Sequence, residues 1–280
     1  MRPRELGRSL AVFAARTPTL PPATHTNSYA LGSREVLLVE PATPYDDERR
    51  AWVEWVRAMP ASGRVPVAIV VTHHHVDHVG GAAFLSKELG LPLWAHAETA
   101  SRLDAPVDRL LSEDDVLQLD GPVPERWRVL HTPGHAPGHV CLVEETERVV
   151  VVGDMVASVG TILIAPGDGH MATYLTQLER LAKLDAAVAL PAHGEPIETP
   201  ATLFRHYIAH RLLREGKVLA ALETFGPRGA TASELVSSAY ADTPAHVWPI
   251  AMVSVEAHLE KLVEEGRAIL QENRYHRALP

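Results

Sequence analysis

Short apolar runs alternate with amphipathic stretches over the first 200 residues. The runs are rich in valine and hold few polar side chains, which predicts buried strands. They cover residues 36–39, 67–71, 127–130, 140–143, 149–152 and 188–190. Between them, apolar residues recur at helical spacing, for example over residues 52–59 and 171–182. Because continuously apolar strands need cover on both faces, this alternation predicts a layered α/β fold.

Beyond residue 200 the pattern predicts helices instead of strands. An amphipathic stretch covers about residues 203–225, and glycine and proline residues end it. Thr231 and Glu234 then have the spacing of a capping box, which predicts the start of a second helix, and a third follows. We therefore predict a catalytic domain over residues 1–200 and a small helical, winged-helix-like domain over residues 201–280.

Charge and cysteine content narrow the possible partners and compartment. The net charge is −9, and the acidic excess lies within the first 200 residues, which argues against tight, sequence-independent binding of nucleic acid. Cys141 is the single cysteine, so an internal disulfide is excluded and a reducing compartment, the cytoplasm, is expected. No apolar run reaches the roughly 18–20 residues that a membrane helix needs, and the arginine-containing start lacks a clear signal-peptide cleavage site.

Histidines and an aspartate cluster directly after the run 67–71. Side chains two residues apart at a strand end point the same way, so His73 and His75 can share one metal ion. Asp77 and His78 can then turn to a second ion. Imidazole and carboxylate ligands without a thiolate suit zinc, although manganese and iron are also compatible with them.

Three more candidate ligands follow other apolar runs. His135 comes after the run 127–130, Asp154 after 149–152 and His193 after 188–190. Each is a weak signal alone. Together with the first cluster they place four groups of ligands at strand ends, where loops carry most binding and catalytic residues.

The order of these residues resembles the metallo-β-lactamase superfamily, whose pattern is HxHxDH followed by a His, a bridging Asp and a last His. Residues 132–139, TPGHAPGH, resemble the TPGHTxGH segment of glyoxalase II-like and β-lactamase-like hydrolases. The helical tail is similar to the C-terminal unit of the mitochondrial β-lactamase-like endoribonuclease and its bacterial relatives. One departure is Glu40-Pro41-Ala42, where relatives have Asp-x-Gly; we expect it to affect the nearby loop and not the metal ligands.

The resemblance implies a four-layer αββα sandwich with two zinc ions at one edge. One ion would be held by His73, His75 and His135, and the other by Asp77, His78 and His193, with Asp154 bridging them. The ions would hold and acidify a water molecule to give the attacking hydroxide. Asp77 and His139 are the side chains expected to serve catalysis, His139 by orienting the imidazole of His135.

Three activities are compatible with this resemblance. Hydrolysis of a thioester or ester of a small acyl substrate is the first, and cleavage of single-stranded RNA is the second. An iron-dependent oxidoreductase similar to the persulfide dioxygenases is the third. The tail carries no net charge, so a structural role is favoured for it over DNA binding, and we expect neither DNA nor a membrane as partner. The sequence makes no prediction of the oligomeric state.

Overall fold

The computed structural model describes residues 3–278, and residues 4–191 contain two β-sheets. The seven-stranded sheet follows chain order: β1 (Arg4–Glu5), β2 (Leu10–Arg16), β3 (His25–Leu31), β4 (Glu35–Val39), β5 (Val65–Val70), β6 (Leu93–His96) and β7 (Arg109–Leu111). The five-stranded sheet has the order β12-β11-β10-β9-β8, with β8 (Val116–Leu119), β9 (Glu125–His131), β10 (Val140–Glu144), β11 (Val149–Gly153) and β12 (Val188–Pro191). All six predicted strands are confirmed.

Strand direction differs along each sheet. Neighbours from β1 to β4 are antiparallel, whereas β4 to β7 are parallel. Short helices occupy the connections of the parallel part: α1 (Asp46–Ala58), α2 (Val76–Val79), α3 (Ala82–Leu89) and α4 (Ala97–Ala100). In the second sheet β11 and β12 are parallel, with Gly153 paired to Pro191. Consequently the chain leaves β11 and β12 at the same edge of that sheet.

Alternating side chains of one strand enter two different cores. Leu37 and Val39 pack between the sheets, in a cluster that includes Trp127 of β9. Val36 and Leu38 face the other way and pack with residues of α1 and α3. Both faces of β4 are therefore covered, as its continuous apolar run predicts.

The C-terminal part combines helices with a β-hairpin. After α5 (Met171–Ala182) come α6 (Pro200–Thr224), α7 (Ala232–Ala239), α8 (Trp248–Glu264), β13 (Ala268–Gln271) and β14 (Arg274–Arg277). The capping box of Thr231 and Glu234 at the start of α7 is confirmed. The prediction of helices alone was incomplete, because β13 and β14 pair as an antiparallel hairpin. Three helices followed by such a hairpin have the composition of a winged helix.

The chain divides into two compact units. The first comprises Met1–Thr132, Pro137–Thr161 and Asp185–Pro200. The second comprises Pro133–Ala136, Ile162–Leu184 and Ala201–Pro280. Segments on both sides of residue 200 thus contribute to the second unit, whose apolar core includes Val218, Leu235 and Leu259. Among residues 3–278, no helix is both long and apolar enough to cross a membrane.

Candidate metal centre

The cluster after β5 lies on the short helix α2 and the turn before it. His75 is the N-cap of α2 in extended conformation, and Asp77 and His78 lie on the helix itself. Nε2 of His73 is 3.0 Å from Nδ1 of His75. In a tetrahedral zinc site with bonds of about 2.0–2.1 Å, two ligand nitrogens lie roughly 3.3 Å apart, so this spacing suits two ligands of one ion.

The candidate ligands fall into two groups that could each hold a metal ion. Asp77, His78 and His193 form one, with ligand atoms all within 4.8 Å of one another. His73, His75 and His135 form the other. Each group combines the side chains that the sequence analysis assigned to one ion.

Asp154 follows the end of β11 and lies beside the group of Asp77, His78 and His193. Its Oδ1 atom is 3.6 Å from Nε2 of His78 and 3.4 Å from Nε2 of His193. Nε2 of His193 is also 3.5 Å from Oδ2 of Asp77. These separations lie at or beyond the long end of the hydrogen-bond range and suit side chains that could share an ion.

Burial of His78 supports the same conclusion. The side chain is fully buried, and its Nε2 atom has no hydrogen-bond partner among the described residues. A buried polar atom without a partner costs about 1–3 kcal/mol of folding free energy. A divalent ion would satisfy this nitrogen, so the residues present fit a metal.

The electrostatics of the group favour a cation. Burial by itself lowers the pKa of His78, but the carboxylates of Asp154, Glu40 and Asp77 raise it well above the ordinary value. Burial raises the pKa of Asp154, yet the imidazoles of His78 and His193 hold it well below its usual range. Asp154 likewise outweighs burial and raises the pKa of His193. Without an ion, protons therefore take its place on the histidines.

Backbone carbonyls fix the ring orientation of two candidate ligands. Nδ1 of His193 is 2.9 Å from the carbonyl oxygen of His25, and Nδ1 of His135 is 2.9 Å from that of Leu163. Because a carbonyl oxygen can only accept, each Nδ1 carries the proton and each Nε2 presents its lone pair. The sequence analysis did not identify these carbonyls, since neither is marked by its side chain.

His139 supports Asp154. Its Nε2 accepts a hydrogen bond from the backbone N–H of Asp154 at 3.1 Å, and its Nδ1 is 2.8 Å from Oγ1 of Thr132. Gly153 permits this contact, because it has a φ of 47° and a Cβ there would lie 2.5 Å from Nε2 of His139. Beside its expected support of His135, which stays a prediction, His139 therefore holds the backbone of Asp154, and the carbonyl group of Leu163 orients the ring of His135.

Glu40 is a site residue that the sequence analysis placed outside the ligand environment. Its side chain is buried, accepts a hydrogen bond from Thr72, and brings Oε1 to 3.3 Å from Nδ1 of His78. The one sign of this role in the sequence was that Glu40-Pro41-Ala42 replaces the Asp-x-Gly of relatives. The expectation that it leaves the ligands unaffected was wrong, because this carboxylate touches one of them.

A cavity of about 760 Å³ lies elsewhere in the first unit. Its lining includes Leu10, Trp127, Glu144 and Leu190, and it includes none of the seven candidate ligands among the described residues. The chemistry of the ligand groups, and not the size of this cavity, therefore identifies the candidate site.

The chain is similar to several known proteins in sequence and in fold. The chain is 29% identical over 249 residues to the beta-lactamase-like protein 2 homolog of Caenorhabditis elegans, covering 86% of this chain and 79% of that protein. It is 26% identical over 264 residues to the atrochrysone carboxyl ACP thioesterase dmxR1 of a Cryptosporiopsis species, covering 88% and 77%. A metallo-beta-lactamase family protein of Thermus thermophilus superposes with a TM-score of 0.80 and 28% identity, covering 97% and 99%.

Two sequence profiles divide the chain in the same order as the elements. The profile of the beta-lactamase associated winged helix domain matches residues 231–274, which confirms the winged-helix character of the tail. The profile of the metallo-beta-lactamase superfamily matches residues 21–193, a span that includes all seven candidate ligands. The α/β sandwich and the winged helix expected from the sequence are thus confirmed. This chain belongs to the metallo-β-lactamase superfamily of hydrolases.

Proposed function

We propose that the protein is a zinc-dependent hydrolase with two ions per chain and that it cleaves a thioester or ester of a small acyl substrate. The observation that carries the proposal is that two groups of possible metal ligands adjoin: the rings of His73 in one and His78 in the other have centroids 4.0 Å apart, and Asp154 lies 3.6 Å from His78. A carboxylate beside two adjoining ligand groups suits a bridge between two ions. The ligand set holds imidazoles and carboxylates but no thiolate, which suits zinc.

Each side chain has a role in this proposal. His73, His75 and His135 would hold the first ion, Asp77, His78 and His193 would hold the second, and Asp154 would serve both. Divalent ions supply an acidified water molecule and polarise the oxygen of the scissile group. His139 keeps the backbone of Asp154 in place, and Glu40 keeps the ring of His78 in place.

The acyl substrate is favoured by charge and by one named relative. The net charge of −9 supplies few partners for the phosphates of RNA, whose binding depends on neutralisation by basic residues. The fungal relative is named as an acyl carrier protein thioesterase, and its chemistry is attack on a carbonyl carbon. Cleavage of single-stranded RNA is the second candidate, because a winged helix is attached to the metal-binding domain.

The deciding experiment compares substrates on one preparation loaded with zinc. Values of kcat/KM are measured for a panel of acyl thioesters and esters and for unstructured RNA, at low and physiological salt. The proposal predicts efficient turnover of at least one thioester or ester that changes little with salt. RNA cleavage that weakens steeply with salt, together with negligible acyl turnover, would favour the second candidate. Loading with iron instead of zinc tests the oxidoreductase alternative in parallel.

A further inference from the structure

We propose that Arg211 of α6 is a positioning residue for the imidazole of His135, acting through the backbone that holds the carbonyl group of Leu163. The inference rests on the proposed function only in taking His135 as a metal ligand. All contacts that support it lie within the second compact unit, which contains residues 133–136 and 162–184 together with α6 and α8.

The first link runs through the carbonyl group that orients His135. Nδ1 of His135 donates to the carbonyl oxygen of Leu163 at 2.9 Å. The preceding carbonyl, that of Ile162, accepts a hydrogen bond from the guanidinium of Arg211. Arg211 is buried, and its guanidinium carbon lies 5.7 Å from the centroid of the Tyr174 ring. A single buried arginine thus anchors the peptide that precedes the oriented carbonyl.

A second link holds the backbone on the other side of His135. The N–H of His170 donates to the carbonyl oxygen of Gly134 at 2.7 Å. The ring of His170 in turn has its Nε2 2.9 Å from a carboxylate oxygen of Glu264 on α8. Gly134 has a φ of 128°, and a Cβ there would lie 2.4 Å from the backbone of Tyr174. The turn before His135 therefore packs tightly against the start of α5.

The two links are expected to differ in how strongly they hold the backbone around His135. The side chains of His170 and Glu264 are 43% and 51% exposed, and an ion pair so accessible to water contributes little. Arg211 is 3% exposed, so removing its side chain leaves a buried carbonyl without its donor. Loss of a residue that orients a metal-bound histidine typically lowers metal affinity about 10- to 100-fold. Arg211 is therefore the better residue to replace in a test of this role.

The test uses the full chain with Arg211→Met and Arg211→Lys, and Arg214→Met as matched control. Arg214 lies one turn further along α6, is also buried, and pairs instead with Asp242 at 2.6 Å. Zinc affinities of the two positions are measured by competition with a chromogenic chelator. We expect Arg211→Met to weaken one of the two ions at least about tenfold, Arg211→Lys to recover part of the loss, and Arg214→Met to leave both unchanged.

A metal-independent readout separates this proposal from the proposed function. Nitrogen NMR of the imidazole of His135, assigned with a His135→Gln variant, reports which ring nitrogen carries the proton. In the wild-type protein a single tautomer protonated at Nδ1 is expected, and in Arg211→Met a mixture. If the wild-type protein binds no zinc but Arg211→Met still shows the mixture of tautomers, the metal site is refuted and the positioning role is supported. An unchanged tautomer and unchanged affinities in Arg211→Met, or equal losses in Arg214→Met, would overturn the proposal.

Discussion

The Oε1 atom of Glu40 lies 3.3 Å from Nδ1 of His78, and both side chains are buried. The contact does not have hydrogen-bond geometry, but a carboxylate beside Nδ1 favours the tautomer with the proton there, which leaves Nε2 for a metal ion. Oε2 of Glu40 has no hydrogen-bond partner among the described residues, so the carboxylate is held from one side. Glu40 therefore takes part in the second metal position without being one of its three assigned ligands.

Replacing Glu40 by Gln should weaken zinc at the second position about tenfold, because an amide orients the ring less strongly than a carboxylate. Glu144→Gln is the matched control: Glu144 is also buried but bonds to the backbone of Glu147. Zinc affinity is read by chelator competition, with melting temperature as a check on folding. Equal zinc affinities in Glu40→Gln and in the wild-type protein would show that Glu40 has no such role.

The bridging assignment predicts different metal losses in different variants. Asp77→Asn or His193→Ala should empty the second position and leave the first occupied, since each contacts one ion. Asp154→Asn should weaken both. Elemental analysis of the purified variants measures zinc per chain. Loss of the same number of ions in all three variants would contradict a bridging Asp154.

Zinc binding should strengthen as pH rises from about 6.5, the ordinary pKa of histidine. The raised pKa values of His78 and His193 mean that protons compete with the metal to higher pH than at an ordinary histidine. Chelator competition across this range measures the slope. A zinc affinity that does not change with pH would contradict the assigned ligands.

The stability of the zinc-free protein should respond to pH in the opposite direction. A raised histidine pKa contributes stability that is fully present below 6.5 and is lost as pH rises through the folded-state value. The lowered pKa of Asp154 contributes stability above its ordinary value of 3.8, and this is lost as pH falls through the folded-state value. Thermal melting without zinc should therefore show stability that falls as pH rises above 6.5. A stability that climbs steadily above this pH would refute the coupling.

His258 predicts acid sensitivity of the C-terminal unit. Burial, followed by the charges of Arg211 and Lys261, lowers the pKa of His258 to about 3. A lowered histidine pKa contributes stability that is fully present above 6.5 and is lost as pH falls from 6.5 towards about 3. His258→Leu should shift the acid-unfolding midpoint to lower pH, whereas the exposed His246→Leu should not. Circular dichroism follows both, and equal midpoints in the two variants would contradict the prediction.

The sequence could point to the candidate ligands because each follows an apolar run, and runs rich in valine predict strands. The strand β3 was not predicted, although all its residues from Thr26 to Leu31 are buried, because Thr26, Asn27 and Ser28 interrupt the apolar pattern. Asn27 donates to the carbonyl oxygens of Pro191 and Gly194, on either side of His193. A polar side chain that is buried to serve a distant loop leaves no periodic signal.

The supporting contacts were beyond sequence reasoning for the same reason. Glu40 and His78 are 38 positions apart, and Arg211 and Ile162 are 49 apart. The contact between Glu40 and His78 had one sign in the sequence, the departure from Asp-x-Gly, but that departure did not show which residue Glu40 would contact. The contact between Arg211 and the carbonyl group of Ile162 had no sign in the sequence, because every residue has a backbone carbonyl group. Contacts to the backbone become visible only when the strands and helices are in place.

The most direct test of the account is a zinc titration of metal-stripped protein, with bound zinc and thioester turnover followed together. Activity should be absent at the start, rise with bound zinc, and reach its plateau at about two ions per chain, because both ions are needed for the proposed chemistry. A chelator should reverse it. Only trace zinc at saturation, or acyl turnover that persists in the stripped protein, would contradict the account.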